Sequence, residues 1–221
     1  MCGRYELHPS PAAIALAFGL AQPPDIGARY NIAPTQQVSV IRIGRTGSRE
    51  LAQLRWGLVP FWAKDISIGN KMINARGETV ALKPGFRDSF RKARCLLPAD
   101  GFYEWAKLVG GGKQPMHIGM RDGKPFALAG LWARWRPPEG DPVETCTIVT
   151  TDANELLRHI HDRMPVIVAP ADYERWLDSE QPGPAELVRP YPAEAMRAYP
   201  VSTHVNTPKY DNASLIEEIA T

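Results

Sequence analysis

Val38-Ser39-Val40-Ile41-Arg42-Ile43, a short polar run through Gly44, Arg45, Gly47 and Ser48, then Glu50-Leu51-Ala52-Gln53-Leu54-Arg55-Trp56 is the stretch that decides the fold. The β-branched residues of 38–43 and the apolar positions of 50–56 read as two strands joined by a Gly/Arg/Ser turn. Outward from this hairpin, further strands are expected at 94–98, 115–120, 126–132, 145–150, 165–169 and 198–202. Gly110-Gly111-Gly112 is expected at a hairpin tip. Helices are fewer, at 10–18, 85–92, 153–160, 170–178 and 213–219. The 153–160 helix carries a start signal, with Asp152 and Glu155 spaced as a capping pair, and Pro165 is expected to stop it. Strands dominate, and the helices among them show no regular βαβ alternation. The expected class is therefore α+β, with a mostly antiparallel, barrel-like β-sheet core and scattered helices.

The chain has 221 residues, 44% hydrophobic and 23% charged, enough for a core of one domain covering 1–221. Charges, Gly or Pro interrupt every apolar stretch, which argues against a membrane span. The opening Met-Cys-Gly-Arg-Tyr-Glu lacks the apolar run of a secretory signal, so a cytoplasmic location is expected. With 21 Pro and 18 Gly, much of the chain is ordered loop, where sites are commonly assembled. A net charge of +2 is too small to announce a nucleic-acid partner. Its basic residues are mostly Arg, whose fork suits phosphate, but genomic base composition accounts for that equally well. Cys2, Cys95 and Cys146 are far apart, which excludes a disulfide framework and a cysteine-rich zinc site. Cys95 and Cys146 lie in apolar strands and should be buried.

Cys2 follows the initiator Met, which a small second residue normally allows to be removed. The chain would then begin with an amine and a thiol on adjacent carbons, with ordinary pKa values of about 7.7–8.0 and about 8.5. Such a 1,2-aminothiol condenses with an aldehyde to an imine, and the thiolate closes onto the same carbon as a thiazolidine. In Gly101-Phe102-Tyr103-Glu104-Trp105 the aromatic neighbours would desolvate Glu104 and raise its pKa towards acid/base use. A strand edge with Glu104 facing solvent is the simpler reading of that motif alone. His161, four residues after Leu157, falls near the C-terminus of the expected helix, where imidazolium is favoured. His159 and His161 have no third partner for a metal. Asn74 can both donate and accept hydrogen bonds, and Arg76 can fork onto phosphate. Among Trp56-Gly57-Leu58-Val59-Pro60-Phe61-Trp62-Ala63-Lys64, Trp56 reads as core and Trp62 as an exposed stacking face.

Seven segments, in order, resemble the SOS response-associated peptidase (SRAP) family. They are Met1 to Tyr5, Arg29-Tyr30-Asn31-Ile32-Ala33-Pro34, Trp56 to Lys64, Ile73-Asn74-Ala75-Arg76-Gly77-Glu78-Thr79, Gly101 to Trp105, Ile160-His161-Asp162-Arg163-Met164-Pro165 and Val205-Asn206. The resemblance implies a single SRAP domain that senses abasic sites in single-stranded DNA and crosslinks to them through a thiazolidine during the DNA damage response. It makes Cys2 the nucleophile, Asn74 the group that orients the opened sugar or the N-terminus, and Glu104 the proton carrier. His161 would protonate the deoxyribose ring oxygen. Arg4, Arg76 and Arg163 would contact phosphates, and Pro34, Trp62 and Met164 would belong to the DNA-binding face. The resemblance implies no cofactor and no metal. A monomer acting on DNA is expected, with lyase-type chemistry at the site. The family's name also records a peptidase activity of the cysteine class, removing residues ahead of Cys2; here only Met1 precedes it.

Other chemistries share parts of this pattern. An N-terminal-cysteine amidohydrolase opens the same way but needs oxyanion donors and a glutamine clamp that no segment supplies. A non-catalytic single-strand binder would make Cys2 incidental. A cysteine protease would pair Cys2 with His161.

Overall fold

The structure is a computed structural model and describes residues 2–220. Its strands are β1 (Tyr5–Leu7), β2 (Arg29–Ile32), β3 (Gln37–Ile43), β4 (Arg49–Trp56), β5 (Asn74–Arg76), β6 (Arg94–Ala99), β7 (Gly101–Lys107), β8 (Lys113–Met120), β9 (Phe126–Trp135), β10 (Val143–Asp152), β11 (Arg163–Pro165), β12 (Ile167–Val168) and β13 (Met196–Pro200). The α-helices are α1 (Pro11–Phe18), α2 (Arg87–Lys92) and α3 (Tyr173–Leu177).

The predicted 38–56 hairpin is the β3–β4 pair, in register from Gln37↔Arg55 to Ile43↔Arg49. From it the sheet closes on itself. β3 meets β6 at Ile41↔Leu96, β6 runs antiparallel to β9, and β9 runs antiparallel to β10. β10 then returns to β4 in parallel at Thr145↔Arg55 and Cys146↔Trp56. Closure leaves those five strands without a free edge. The fold is α+β with a barrel at its core, mostly antiparallel, as the sequence indicates.

A second, antiparallel sheet has the order β13-β8-β7-β1-β2. β7 and β8 are joined by the predicted Gly110–Gly112 tip, where all three glycines have positive φ. A continuous apolar core links both sheets and includes Tyr5, Trp56, Leu96, Leu128 and Ile148. β6 is buried along its whole length, as expected of a strand covered on both faces. α1 starts as its sequence dictates, with Ser10 capping the Ala13 N–H, Pro11 at the first position and Gly19 closing it at φ +65°.

Three expected elements differ. Residues 155–160 form successive turns in place of a helix. Asp152 is drawn into β10 opposite Arg163, so Asn154 does the capping, accepting from the Leu157 N–H at 3.0 Å. Its amide also donates to Tyr191 O, tying the segment to the C-terminal part of the chain. Pro165 lies in β11, and the run expected as one strand at 165–169 is split between β11 and β12. The expected helix at 213–219 is a short 3-10 turn, Ala213–Ile216, capped by Asn212. No helix among the described residues is long and apolar enough to cross a membrane.

Candidate functional site

The chain enters the fold at Cys2 and runs directly into β1. β1 pairs with β7 at Tyr5↔Phe102 and Glu6↔Gly101, and the Tyr103 N–H donates to Arg4 O at 2.9 Å. Continued one step, that antiparallel register sets Gly3 opposite Glu104. β5 approaches from the barrel side, held in parallel by β10 at Ile148↔Asn74. The Asn74 amide donates to Cys2 O at 2.9 Å. Asn74 Oδ1 is buried with no hydrogen-bond partner among the described residues, leaving an acceptor beside Cys2.

Cys2 is fully buried. Burial, and secondarily the charge of Glu104, push its thiol far above the ordinary range. The ordinary thiol value of about 8.5 therefore does not hold for Cys2 in this state, where burial favours the protonated thiol. Met1, whose removal the chemistry requires, lies outside the described residues. Glu104 is only 3% exposed, which overturns the solvent-facing reading of its motif. Burial raises its carboxyl above the usual range, with His161 acting in the opposite direction. Cys2, Glu104 and His161 are thus close enough for electrostatic coupling, although they come from three separate segments.

His161 is partly exposed, on the turn that returns the chain from β10 to β11. Its N–H donates to Leu157 O at 2.9 Å, a single turn of the helix expected there. His161 Nδ1 accepts the Arg163 N–H at 3.0 Å and stands 2.8 Å from Asp162 Oδ1. His159 is exposed and stands apart.

The expected DNA-facing residues separate into two groups. Arg76 is exposed, as is Trp62 at 49% beside Phe61 at 69%. Their loop departs from β4 at Gly57, where φ is +128° and a Cβ would stand 2.6 Å from Gly69 O; only glycine fits there. The far end of the loop is fastened by Trp135 Nε1–H donating to Ala63 O. Pro34 is half-buried, ahead of Thr35 at φ +72°. The other group faces inward. Arg163 is committed to Glu78, to Asp152 at 2.8 Å and to Thr150 O at 2.9 Å. Arg4 donates to Asn31 Oδ1 at 2.7 Å and to Val205 O, and stacks over Trp105 at 5.9 Å. Met164 is fully buried, so its side chain is corrected from a surface contact to core packing. Trp56 and the thiols of Cys95 and Cys146 are buried as expected.

Asn31 is the supporting residue that sequence reasoning left without a role. It is 1% exposed, accepts from Arg4 and donates to Val205 O, Thr207 O and Tyr210 O. It thereby fastens the C-terminal segment over β2 and fixes Arg4 two residues from Cys2. The Arg29–Pro34 segment flagged it; its burial was the missing information.

The family model described as "SOS response associated peptidase (SRAP)" matches residues 1–208. The chain is 45% identical, over 98% of its length and 99% of the relative's, to the abasic site processing protein YoqW of Bacillus subtilis. It is 33% identical to the abasic site processing protein YedK of Escherichia coli, covering 83% of this chain and 82% of that one. A crystal structure of a protein from Bacteroides thetaiotaomicron superposes with a TM-score of 0.87 at 27% identity, covering 99% of this chain and 100% of that one.

Proposed function

The chain belongs to the SRAP family, and from that premise we propose that it processes abasic sites in DNA by covalent capture through Cys2. The substrate is single-stranded DNA in which a base has been lost. Its deoxyribose carries a masked aldehyde at the anomeric carbon. The protein acts as one SRAP domain over its whole length. What supports this reading is the convergence on Cys2 of the Asn74 amide and a buried Glu104 with a raised pKa, Glu104 being coupled in turn to His161.

The chemistry follows from those positions. Removal of Met1 exposes the Cys2 amine beside its thiol. His161 protonates the sugar ring oxygen, and the ring opens to the aldehyde. The amine adds to that carbonyl, and loss of one water leaves an iminium. The sulfur then bonds to the same carbon, its proton passing to Glu104, and a thiazolidine results. Burial suits this order, because a thiol held protonated is poorly reactive towards stray electrophiles. The nearby iminium cation lowers the cost of ionising it when needed. Ring closure consumes the imine that would otherwise promote elimination of the 3′ phosphate, so the strand is shielded. Lyase-type nicking and removal of residues ahead of Cys2 are secondary outcomes of the same groups. Asn74 orients the opened sugar through the acceptor beside Cys2. Arg76 takes a backbone phosphate, and Trp62 with Pro34 forms the surface on which a flanking base stacks. Arg4 and Arg163 reach phosphate only by giving up internal partners.

The test is a denaturing gel of protein mixed with a single-stranded oligonucleotide carrying one abasic site. Wild type should give a heat-stable, slow-migrating band that an intact oligonucleotide does not give. Cys2→Ser should lose that band while retaining an imine trappable by borohydride. A heat-stable band of equal yield from Cys2→Ser would refute the assignment.

A further inference from the structure

Away from Cys2, at the other end of β1, lies a cluster that the capture chemistry does not use. Glu6 is 1% exposed. Its Oε1 pairs with His117 Nε2 at 2.9 Å, and its Oε2 lies 3.0 Å from His8 Nε2. Asp100, at the corner between β6 and β7, accepts the His8 backbone N–H at 2.7 Å. Donor atoms of Glu6, His8 and Asp100 all lie within 4.8 Å of one another. We propose that Glu6, His8 and Asp100 form a binding site for a divalent transition metal of the zinc class, which staples β1 to the corner between β6 and β7.

Two observations carry this. First, Glu6 Oε2 and His8 Nε2 are at contact distance, yet Oε2 is buried and makes no bond of hydrogen-bonding geometry. Two donors that are close but not aimed at each other are arranged as ligands of a shared cation are. Second, the donor set of one imidazole and two carboxylates suits zinc and its neighbours better than magnesium or calcium, which take oxygen alone. Ligands about 2.0–2.2 Å from such a metal lie about 3.5 Å apart in a tetrahedral shell, so separations of up to 4.8 Å close by about 1.3 Å at most, and the Glu6–His8 pair at 3.0 Å opens by about 0.5 Å.

The surroundings fit a built site. His117 is 4% exposed and holds the second Glu6 oxygen, as an outer partner that orients a metal ligand does. Gly101 makes room for that pair, since a Cβ there would stand 2.2 Å from His117 Nε2 and 2.8 Å from Glu6 Oε1. The His8 side chain is 31% exposed and stacks on Tyr30, giving an entry path. His8 and Asp100 are 92 residues apart in sequence, which is why spacing does not reveal them.

The experiment is equilibrium dialysis of the full chain against zinc near neutral pH, with a magnesium arm and a cobalt arm read by absorbance. Wild type should retain one zinc per chain and no magnesium. Its cobalt complex should lack thiolate charge-transfer bands. His8→Gln and Asp100→Asn should each lose retention, and His117→Gln should weaken it by about tenfold to a hundredfold. His8 is partly exposed, so His8→Gln should fold, which circular dichroism checks. Absence of zinc from wild type, undiminished retention in His8→Gln, or thiolate bands in the cobalt spectrum would each overturn the proposal.

Discussion

Glu104 is held above the ordinary carboxylic range because burial penalises its charged form. The folded chain therefore binds that proton more tightly than the unfolded chain does. The stability this contributes is complete below the unfolded value of about 4.3 and is lost as pH rises through the higher folded value. Glu104→Gln keeps a similar shape and cannot ionise. Its Tm relative to wild type should improve as pH rises above the unfolded value of about 4.3, and a pH-independent difference would count against the buried-carboxyl assignment. As the group that takes the thiol proton, the same substitution should slow adduct formation by about 10²- to 10⁴-fold. Arg76 makes the contrasting case, exposed and placed for phosphate. Arg76→Ala should weaken binding to intact single strands and reduce the slope of log affinity against log salt by about 1; an unchanged slope would remove Arg76 from the interface.

At the scale of elements, β1 is the part on which the site depends, because it carries Cys2 into place. Asn31 secures its surroundings by joining β2, Arg4 and three carbonyls of the C-terminal segment. Asn31→Ala leaves buried groups unpaired and should cost about 2–3 kcal/mol, read as a lower urea midpoint with unchanged slope. The loop after β4 is a separate device. Trp62→Ala should weaken single-strand affinity by about 1–3 kcal/mol, the value of one stacked base, and leave Tm nearly unchanged because Trp62 is half-exposed. Equal losses of Tm and affinity would show that the indole is structural. Which elements were legible in the sequence follows from their physics. The β3–β4 hairpin and α1 were, because alternation, capping and turn residues act locally. The 153–160 segment was not. Its capping signal is local, but β10 claims Asp152 opposite Arg163, and the Asn154 amide is drawn to Tyr191 O at long range.

Across the whole molecule, the barrel was legible as a class but its closure was not, since closure rests on the β10–β4 pairing between distant segments. The candidate site was named in sequence through motifs, and the structure brings Cys2, Asn74, Glu104 and His161 to one place. Exposure was the illegible part: Glu104 and Met164 are buried, and the Arg163 guanidinium is already occupied. The aminothiol chemistry makes removal of Met1 the condition for everything that follows. The most direct measurement is the intact mass of the protein after incubation with an abasic single-stranded oligonucleotide, with the modified peptide sequenced. The account predicts a chain beginning at Cys2, a mass equal to protein plus oligonucleotide minus one water, and attachment at that residue. An adduct on a chain that retains Met1, or one mapped to a lysine, would contradict it.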